Sequence, residues 1–307
     1  MVRRSGRSLA PRLTARIVVV ALALAGCSQA SGTSSTTTTV GATEPSTTTT
    51  TTTIPSTTTT TVPASSSTGS APTADLSEID VDVLIPKGEG PFPAAVLVHG
   101  GGWVAGTPDL MDNLARFLTE QGLLTVNTAY TLANDIAGFP IAVDDVACAV
   151  RLAAAHPSGD GTVAVIGHSA GAHLSALVAL DVDRYGADCP LEDPVIPDRL
   201  VGLAGPYDVS RLGPLMLPFF GVGPADDPEM WQAGNPMFQA GNNPGLSSLL
   251  MHGEEDALVD VSFATRFADV LIAAGSEALV EVVEGARHND MHDPDFVGDL
   301  IITWLER

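Results

Sequence analysis

The stretch TVAVIGHSAGAHLSALVAL, residues 162–180, contains a strand pattern, a sharp turn and a helix pattern in immediate succession. The run Thr162 to Ile166 is typical of a buried strand, and Ala170 to Leu180 is typical of a helix. The turn between them is Gly167-His168-Ser169-Ala170-Gly171, with a glycine two residues to either side of the serine. A strand–turn–helix of this kind projects the serine hydroxyl beyond the end of the strand. Ser169 is therefore the candidate nucleophile.

Predicted strands alternate with predicted helices on both sides of this stretch. Strands are predicted at residues 79–85, 94–98, 123–130, 162–166, 199–203, 247–251 and 279–283, and helices at 110–122, 141–155, 170–180, 261–274 and 296–305. Repeated strand–helix units indicate an α/β fold with a mostly parallel central sheet and helices on both faces. Because ligands bind such sheets at the carboxyl ends of the strands, chemically active side chains are expected just after each strand.

A glycine-rich loop, His99-Gly100-Gly101-Gly102-Trp103, directly follows the predicted strand at 94–98. Glycine lets a backbone approach a substrate closely, and free N–H groups stabilise negative charge that develops on a carbonyl oxygen. The N–H groups predicted to form such an oxyanion hole are those of Gly101, Gly102 and Ala170. We expect Trp103 either to form a wall of the substrate pocket or to pack in the interior.

A serine nucleophile needs a base, and the base needs a carboxylate to orient it. Asp256 lies in the loop after the strand at 247–251, and His288 lies just after the strand at 279–283. Both therefore stand at strand carboxyl ends, in the chain order Ser, Asp, His that a strand–turn–helix nucleophile requires. We predict that Ser169, Asp256 and His288 form a catalytic triad.

Other acidic and histidine residues compete for these roles. Glu254 and Glu255 share the loop of Asp256, Asp260 precedes a helix, and His292 is a rival base. The segment from His288 also carries further acids that suggest a metal site, but the zinc motif H-E-x-x-H needs glutamate where Asn289 stands. The sequence thus predicts neither a metal nor a cofactor.

Together these motifs resemble the α/β-hydrolase superfamily, and within it the carboxylesterases related to hormone-sensitive-lipase-like, feruloyl-esterase-like and kynurenine-formamidase-like enzymes. The resemblance covers residues 79–307 and implies an α/β-hydrolase fold, a Ser169–Asp256–His288 triad and hydrolysis of a small-molecule ester. The hormone-sensitive-lipase branch usually has Asp at the position of His168 and Gly at that of Ala172. Relatives often have Arg at the position of Thr131. Because of these departures, the resemblance implies the fold and the reaction type but does not define the subfamily or the substrate.

The first 73 residues are not expected to belong to the folded domain. Residues 1–26 combine a basic segment with a short apolar run, as in a signal peptide. Leu24-Ala25-Gly26-Cys27 resembles the lipobox of bacterial lipoproteins, which implies lipidation of Cys27 and attachment to the outer face of a cell membrane. The alternative is an ordinary secretory signal. Residues 27–73 are rich in Thr and Ser and are predicted to be a disordered linker. The catalytic domain is predicted at 74–307.

The chain is strongly acidic, with a formal net charge of −22 at pH 7. A protein with this charge repels nucleic acid, so nucleic-acid binding is excluded as a function class. The sequence does not indicate an oligomeric state. Apart from Cys27 there are two cysteines, Cys148 and Cys189, which in an exported protein are expected either to form a disulfide or to be buried thiols.

One segment, 210–243, interrupts the alternation of strands and helices and is predicted to be a small cap. Its apolar residues include Phe219 and Phe220, which we expect to line the substrate pocket and to favour a small or medium acyl or aromatic ester. Three functions remain open: a serine esterase, an amidase, arylformamidase or acyltransferase with the same triad, and an inactive surface binding protein.

Overall fold

A computed structural model describes residues 80–134, 138–191 and 195–307. The predicted signal peptide at 1–26, Cys27, the predicted linker at 27–73 and the predicted start of the catalytic domain at residue 74 lie outside the described residues. None of the helices in the described ranges is long and apolar enough to cross a membrane.

A seven-stranded sheet forms the centre of the described part of the chain, with the strand order β1-β3-β2-β4-β5-β6-β7. The strand β1 is antiparallel to β3, and all other neighbours are parallel. The strands are β1 (Val81–Leu84), β2 (Phe92–Val98), β3 (Leu124–Thr128), β4 (Gly159–His168), β5 (Arg199–Leu203), β6 (Ser247–Gly253) and β7 (Glu277–Val283).

The main helices connect these strands and cover both faces of the sheet. They are α1 (Asp112–Glu120), α2 (Ile141–Ala155), α3 (Ala170–Leu180), α7 (Ser262–Ala273) and α8 (Pro294–Leu305). The segment predicted to be a cap folds into a 3-10 helix, Val209–Met216, and the short helices α4 (Leu217–Phe220), α5 (Pro228–Ala233) and α6 (Pro236–Gln239). The predicted α/β architecture is confirmed.

Alternate residues of each central strand enter opposite halves of the core. Val96 and Val98 of β2 pack in one cluster with α2, α3 and α7, whereas Ala95 and Leu97 pack in the other with α1 and α8. This is the period of two that a pleated strand imposes. Burial of each Val or Leu side chain contributes about 1.5–3 kcal/mol to stability. Because both faces are covered, the strands are apolar runs, as observed in parallel sheets.

The helix α3 is buried along its whole length. A helix that is apolar all round needs neighbours on every side, and α3 has the sheet on one side and α2 and α6 on others. This explains the unbroken apolar run from Ala176 to Leu180. It also means that the first turn of α3, which follows Ser169, is fixed on several sides.

The loop after α3 is bonded to α2. Cys148 of α2 and Cys189 of this loop form a disulfide, with their Cα atoms 5.5 Å apart. Beside it, the buried guanidinium of Arg151 donates hydrogen bonds to the backbone oxygens of Tyr185 and Gly186 at 2.8 and 2.6 Å. Of the two possibilities that the sequence left, a disulfide or two buried thiols, the structure has the disulfide. The hydrogen bonds of Arg151 hold the same loop beside it.

Candidate active site

The nucleophile turn places Ser169 between β4 and α3 in a strained backbone conformation. Its φ is 52° and its ψ is −117°, a region that costs a non-glycine residue about 1–3 kcal/mol. Its N–H donates to the carbonyl oxygen of Leu203 at 2.8 Å, which ties the turn to the end of β5. A Cβ on Gly171 would overlap the backbone oxygen of Val98. Glycine is therefore required there for α3 to pack against the end of β2.

His288 lies within hydrogen-bond distance of both of its predicted partners. Its Nε2 is 2.9 Å from the Oγ of Ser169, and its Nδ1 is 2.7 Å from the Oδ2 of Asp256. The ring is buried, 8% exposed. A carboxylate accepts, so Nδ1 carries the proton and Nε2 is left to accept the proton of the serine hydroxyl. The structure brings together three side chains that are far apart in the sequence.

Asp256 is held as a carboxylate by the turn in which it stands. Burial opposes its ionisation, but hydrogen bonds from the N–H of Val259, from His288 and from the N–H of Leu258 outweigh burial and lower the pKa of its carboxyl. The two N–H groups donate to Oδ1 at 2.9 and 2.8 Å. An ionised Asp256 fixes the tautomer of His288 and favours the imidazolium form.

The competing residues occupy other positions. Glu254 accepts a hydrogen bond from the N–H of Gly285, and Asp260 accepts one from the N–H of Ser262 at the start of α7. His292 packs its ring 4.9 Å from the ring of His168. It is thus His288, and not His292, that contacts the hydroxyl of Ser169.

The glycine-rich loop passes beside the nucleophile. A Cβ on Gly100 would lie 3.2 Å from the Cβ of Ser169. The next three residues all have positive φ: 127° at Gly101, 60° at Gly102 and 65° at Trp103. Within the described residues, the N–H groups of Gly101, Gly102 and Ala170 have no backbone hydrogen-bond acceptor. These groups are thus free to donate to a substrate oxygen.

The prediction that Phe219 and Phe220 line the substrate pocket is wrong. Both side chains are only 1% exposed. Phe219 packs 5.7 Å from the ring of Trp103, and Phe220 stacks on Trp231 at 4.4 Å. The physical reason is that the cap segment uses its aromatic residues to complete the core. Trp103 is itself 6% exposed, so of the two roles expected for it the structure shows interior packing.

The sequence did not indicate a role for His173, one turn after Ser169. Its Nδ1 is 3.2 Å from the Nε1 of Trp103, and its Nε2 is 2.9 Å from the backbone oxygen of Gly234. Its position four residues after the serine was the only available signal. The partner at Gly234 is 61 residues away in the chain, and only the tertiary structure reveals it.

Cavities elsewhere in the fold do not include the nucleophile. One of about 400 Å³ is lined by Tyr130, several aspartates and the disulfide, and one of about 460 Å³ lies at the amino ends of the strands, near Leu123 and Thr162. In the described ranges, no group of three or more His, Cys, Asp or Glu side chains is placed to hold a metal ion. The arrangement around Ser169 is suited to nucleophilic attack on a carbonyl carbon by an activated hydroxyl.

Residues 81–271 match the sequence model of the BD-FAE family, which covers more than half of the chain. The chain belongs to the BD-FAE family. This match, together with the esterase relatives, confirms the predicted resemblance to α/β-hydrolase carboxylesterases.

Three curated relatives of this BD-FAE member are ester hydrolases by name. Esterase LipC of Mycobacterium tuberculosis is 31% identical over 217 residues, which are 64% of this chain and 53% of LipC. The carboxylic ester hydrolase LipN of the same organism is 39% identical over 109 residues, 33% of this chain and 29% of LipN. Versiconal hemiacetal acetate esterase of Dothistroma septosporum is 33% identical over 140 residues, 42% and 40% of the two chains. The chain thus spans about half the length of LipC, and less of the other two.

Solved structures share the fold of this BD-FAE member. A truncated carbohydrate esterase from gut microbiota superposes with a TM-score of 0.63 at 19% identity, covering 74% of this chain and 90% of that one. A propionate-bound esterase of Thermogutta terrifontis has a TM-score of 0.59 at 20% identity, covering 73% and 88%. The chain has the α/β-hydrolase fold.

Proposed function

We propose that this protein is a serine esterase that hydrolyses carboxylic esters through an acyl-enzyme. The observation that carries the proposal is the continuous line of hydrogen bonds from Ser169 through His288 to Asp256, at 2.9 and 2.7 Å. The names of LipC, LipN and the hemiacetal acetate esterase support the same reaction class.

The first step is acylation of Ser169. Its Oγ forms a bond to the carbonyl carbon of the ester, while the hydroxyl proton moves to the Nε2 of His288. Asp256 stabilises the resulting imidazolium. When the tetrahedral intermediate collapses, the bond to the alkoxy group breaks, and His288 returns the proton to the departing alcohol.

The oxyanion formed in that step needs donors that are not already engaged. The proposed donors are the free N–H groups of Ala170, which directly follows Ser169, and of Gly101 and Gly102, which follow Gly100 in the loop beside Ser169. Ala170 adds the favourable potential of the N-terminus of α3. One donor of this kind typically stabilises the transition state by about 3–4 kcal/mol.

The second step is hydrolysis of the acyl-enzyme. Water adds to the acyl carbon while His288 accepts a proton from it, and collapse of this intermediate releases the acid and restores the hydroxyl of Ser169. The sequence of steps uses side chains and backbone N–H groups of this chain alone.

We infer that the acyl or aromatic group of the substrate is small or medium in size. Gly101 and Gly102 are exposed, and the cavities of about 400 and 460 Å³ lie elsewhere. With Phe219 and Phe220 in the core, neither side chain is available to grip a long chain. A short acyl group needs less apolar surface than a long one to bind productively.

A panel of p-nitrophenyl esters tests the proposal. We expect acetate and butyrate to be hydrolysed at least about tenfold faster, in kcat/KM, than palmitate, and S169A to lose the activity. An arylformamide and an added alcohol acceptor are measured in parallel. Faster turnover of the arylformamide would indicate an amidase, and a new ester in place of free acid would indicate an acyltransferase. Activity retained in S169A would contradict the mechanism.

We also propose that the protein is exported and anchored by a lipid on Cys27, on the outer face of a bacterial membrane. The Leu24-Ala25-Gly26-Cys27 sequence supports lipidation, and the Cys148–Cys189 disulfide is typical of an oxidising compartment. In phase separation of Triton X-114 extracts from bacterial cells, the full chain should enter the detergent phase and C27S the aqueous phase. Equal partition of the two would contradict anchoring through Cys27.

A further inference from the structure

The glycine-rich loop contains a residue whose backbone conformation is unfavourable. Trp103 has a φ of 65°, directly after two glycines that also have positive φ. Glycine adopts this region without penalty, whereas a bulky side chain rarely does. Such a residue persists only when its surroundings fix it, and strained residues of this kind are concentrated at functional sites. The contacts of the indole therefore decide whether the loop keeps its shape.

His173 makes two of those contacts. The Nε1 of Trp103 donates to the Nδ1 of His173 at 3.2 Å, and the two rings meet edge to face with centroids 5.4 Å apart. Phe219 packs on the indole from another side, at 5.7 Å. The carbonyl of Trp103 accepts a hydrogen bond from the N–H of Ala133 at 2.8 Å. The side chain and the backbone of Trp103 are thus both held.

The imidazole of His173 is fixed in one tautomer by two unlike partners. The indole Nε1 can only donate and the carbonyl of Gly234 can only accept, so Nδ1 is the acceptor and Nε2 carries the proton. The ring is fully buried, and burial lowers its pKa to about 4, so it stays neutral at neutral pH. A neutral imidazole with both nitrogens satisfied is a rigid link.

The backbone of His173 connects this link to the nucleophile. The residue is on α3, one turn after Ser169, and its N–H donates to the carbonyl oxygen of Ser169 at 3.3 Å. Ala170, a proposed oxyanion donor, is the first residue of the same helix. The hydrogen bond between Trp103 and His173 therefore joins the two backbone segments whose N–H groups must point at one oxygen.

We propose that Trp103 and His173 are positioning residues that align the oxyanion hole, holding the loop of Gly101 and Gly102 against the nucleophile helix. We call this pair of residues the Trp103–His173 clamp. The inference rests on the proposed function, because an oxyanion hole has a role only if Ser169 attacks a carbonyl. It assigns the buried indole of Trp103 a positioning role, where the sequence left a pocket wall and interior packing open. Its removal should affect the transition state more than substrate binding.

The chain contains a matched control for the indole of Trp103. Trp231 in α5 is also 6% exposed, and its Nε1 also donates one hydrogen bond, to the carbonyl of Val222 at 3.0 Å. Its ring stacks on Phe220, and both Phe220 and its hydrogen-bond acceptor Val222 belong to the cap segment, not to the glycine-rich loop or α3. W103F and W231F therefore make the same chemical change at equal burial, one inside the clamp and one outside it.

The test compares W103F, W231F, H173N and H173L with the wild type on a short p-nitrophenyl ester. We expect W103F to lose about tenfold or more in kcat with KM changed less than about threefold, and W231F to change neither beyond about threefold. H173N retains an acceptor near the position of Nδ1 and should keep more activity than H173L. Thermal unfolding of each variant sets an assay temperature at which all of them are folded.

A transition-state analogue provides a second measurement. An alkyl trifluoromethyl ketone adds the Oγ of Ser169 to its carbonyl carbon, with the proton passing to His288, and leaves an oxyanion. The inhibition constant should rise in W103F by about the factor by which kcat/KM falls, and should be unchanged in W231F. If H173L does not fold, the W103F and W231F pair decides the question.

The proposal is overturned if W103F and W231F behave alike, or if W103F changes KM alone. It is also overturned if H173N is no better than a folded H173L. Failure of the proposed function would give a different result. The wild type would then show no ester hydrolysis that depends on Ser169, and both proposals would fall whatever the Trp103 variants do. Wild-type activity lost in S169A, with W103F unaffected, would remove the clamp alone.

Discussion

The Nε2 of His168 lies 3.0 Å from the backbone carbonyl oxygen of His288, so the residue before the nucleophile holds the main chain of the base. A carbonyl only accepts, and Nε2 must therefore carry the proton. Burial is the main reason that the pKa of His168 is lowered to about 3, and the charges of His288 and His292 lower it further. A neutral His168 adds no positive charge beside His288 when that ring becomes an imidazolium.

Replacing His168 should show in kcat how much its hydrogen bond to the main chain of His288 contributes. H168L removes the donor to the carbonyl of His288, so we expect kcat to fall by about tenfold, which is about 1.4 kcal/mol of barrier. One hydrogen bond contributes about 0.5–1.5 kcal/mol. H168Q presents an amide N–H at a similar reach and should recover most of the activity. Equal activities of H168L and H168Q would contradict the role given to Nε2.

The carboxylate of the triad can be distinguished from its neighbours by two amide substitutions. D256N leaves the size of the side chain unchanged but no longer fixes His288 in the productive tautomer, and we expect kcat to fall by about 10³–10⁴. E255Q changes an exposed neighbour in the same loop and should leave kcat within about twofold. Steady-state kinetics on a p-nitrophenyl ester decide this. A mild D256N and a severe E255Q would move the role to Glu255.

Stability should fall as the pH is lowered from 7 to 5. Burial, in part opposed by hydrogen bonds, lowers the pKa of five histidines. It lowers the pKa of His168 to about 3 and that of His173 to about 4. It also lowers the pKa values of His99, His252 and His292. Below the unfolded value of 6.5, the unfolded chain binds protons that the folded chain does not, so the free energy of unfolding decreases. The window extends from pH 6.5 down to about 3 for His168 and down to about 4 for His173.

Urea unfolding at pH 7 and pH 5 measures this effect. The slope is about 1.4 kcal/mol per pH unit for each histidine, so His168 and His173 together should lower the free energy of unfolding by about 4 kcal/mol between the two pH values. H168Q lacks one of these groups and should lose about 2 kcal/mol less than the wild type. Equal losses in the two proteins would show that His168 titrates normally.

The disulfide should contribute to stability but not to catalysis. Cys148 and Cys189 are separated by 41 residues, and a closed loop of that length stabilises the folded state by about 4 kcal/mol through the entropy of the unfolded chain. The C148A/C189A double variant should melt roughly 8–16 °C lower. Because the hydrogen bonds of Arg151 still hold the same loop, we expect the fold and kcat to be kept. A reductant should lower the melting temperature of the wild type only.

Local sequence patterns were sufficient to predict the fold and the residues that converge on Ser169. The helices at 141–155 and 170–180 and the strand at 199–203 were predicted with the bounds that the structure has. This worked because buried parallel strands are apolar runs, and because their carboxyl ends meet at one edge of the sheet, which places the loops of Asp256 and His288 near the nucleophile.

The sequence could not reveal contacts that depend on irregular structure. The cap segment has no period that distinguishes its inner from its outer residues, so Phe219 and Phe220 were assigned to a pocket although they lie in the core. His173 has the appearance of any helical residue until its partners at Trp103 and Gly234 are known. Side chains that position a site through long-range hydrogen bonds leave little trace in local patterns.

Labelling with a fluorophosphonate tests the central claim most directly, because the reagent forms a covalent bond only with an activated serine. After digestion, mass spectrometry of the wild-type protein should find the phosphonyl group on Ser169, labelling should be slowed strongly in H288Q, and S169A should not be labelled. A phosphonyl group on another serine, or labelling of S169A at the wild-type rate, would contradict the account.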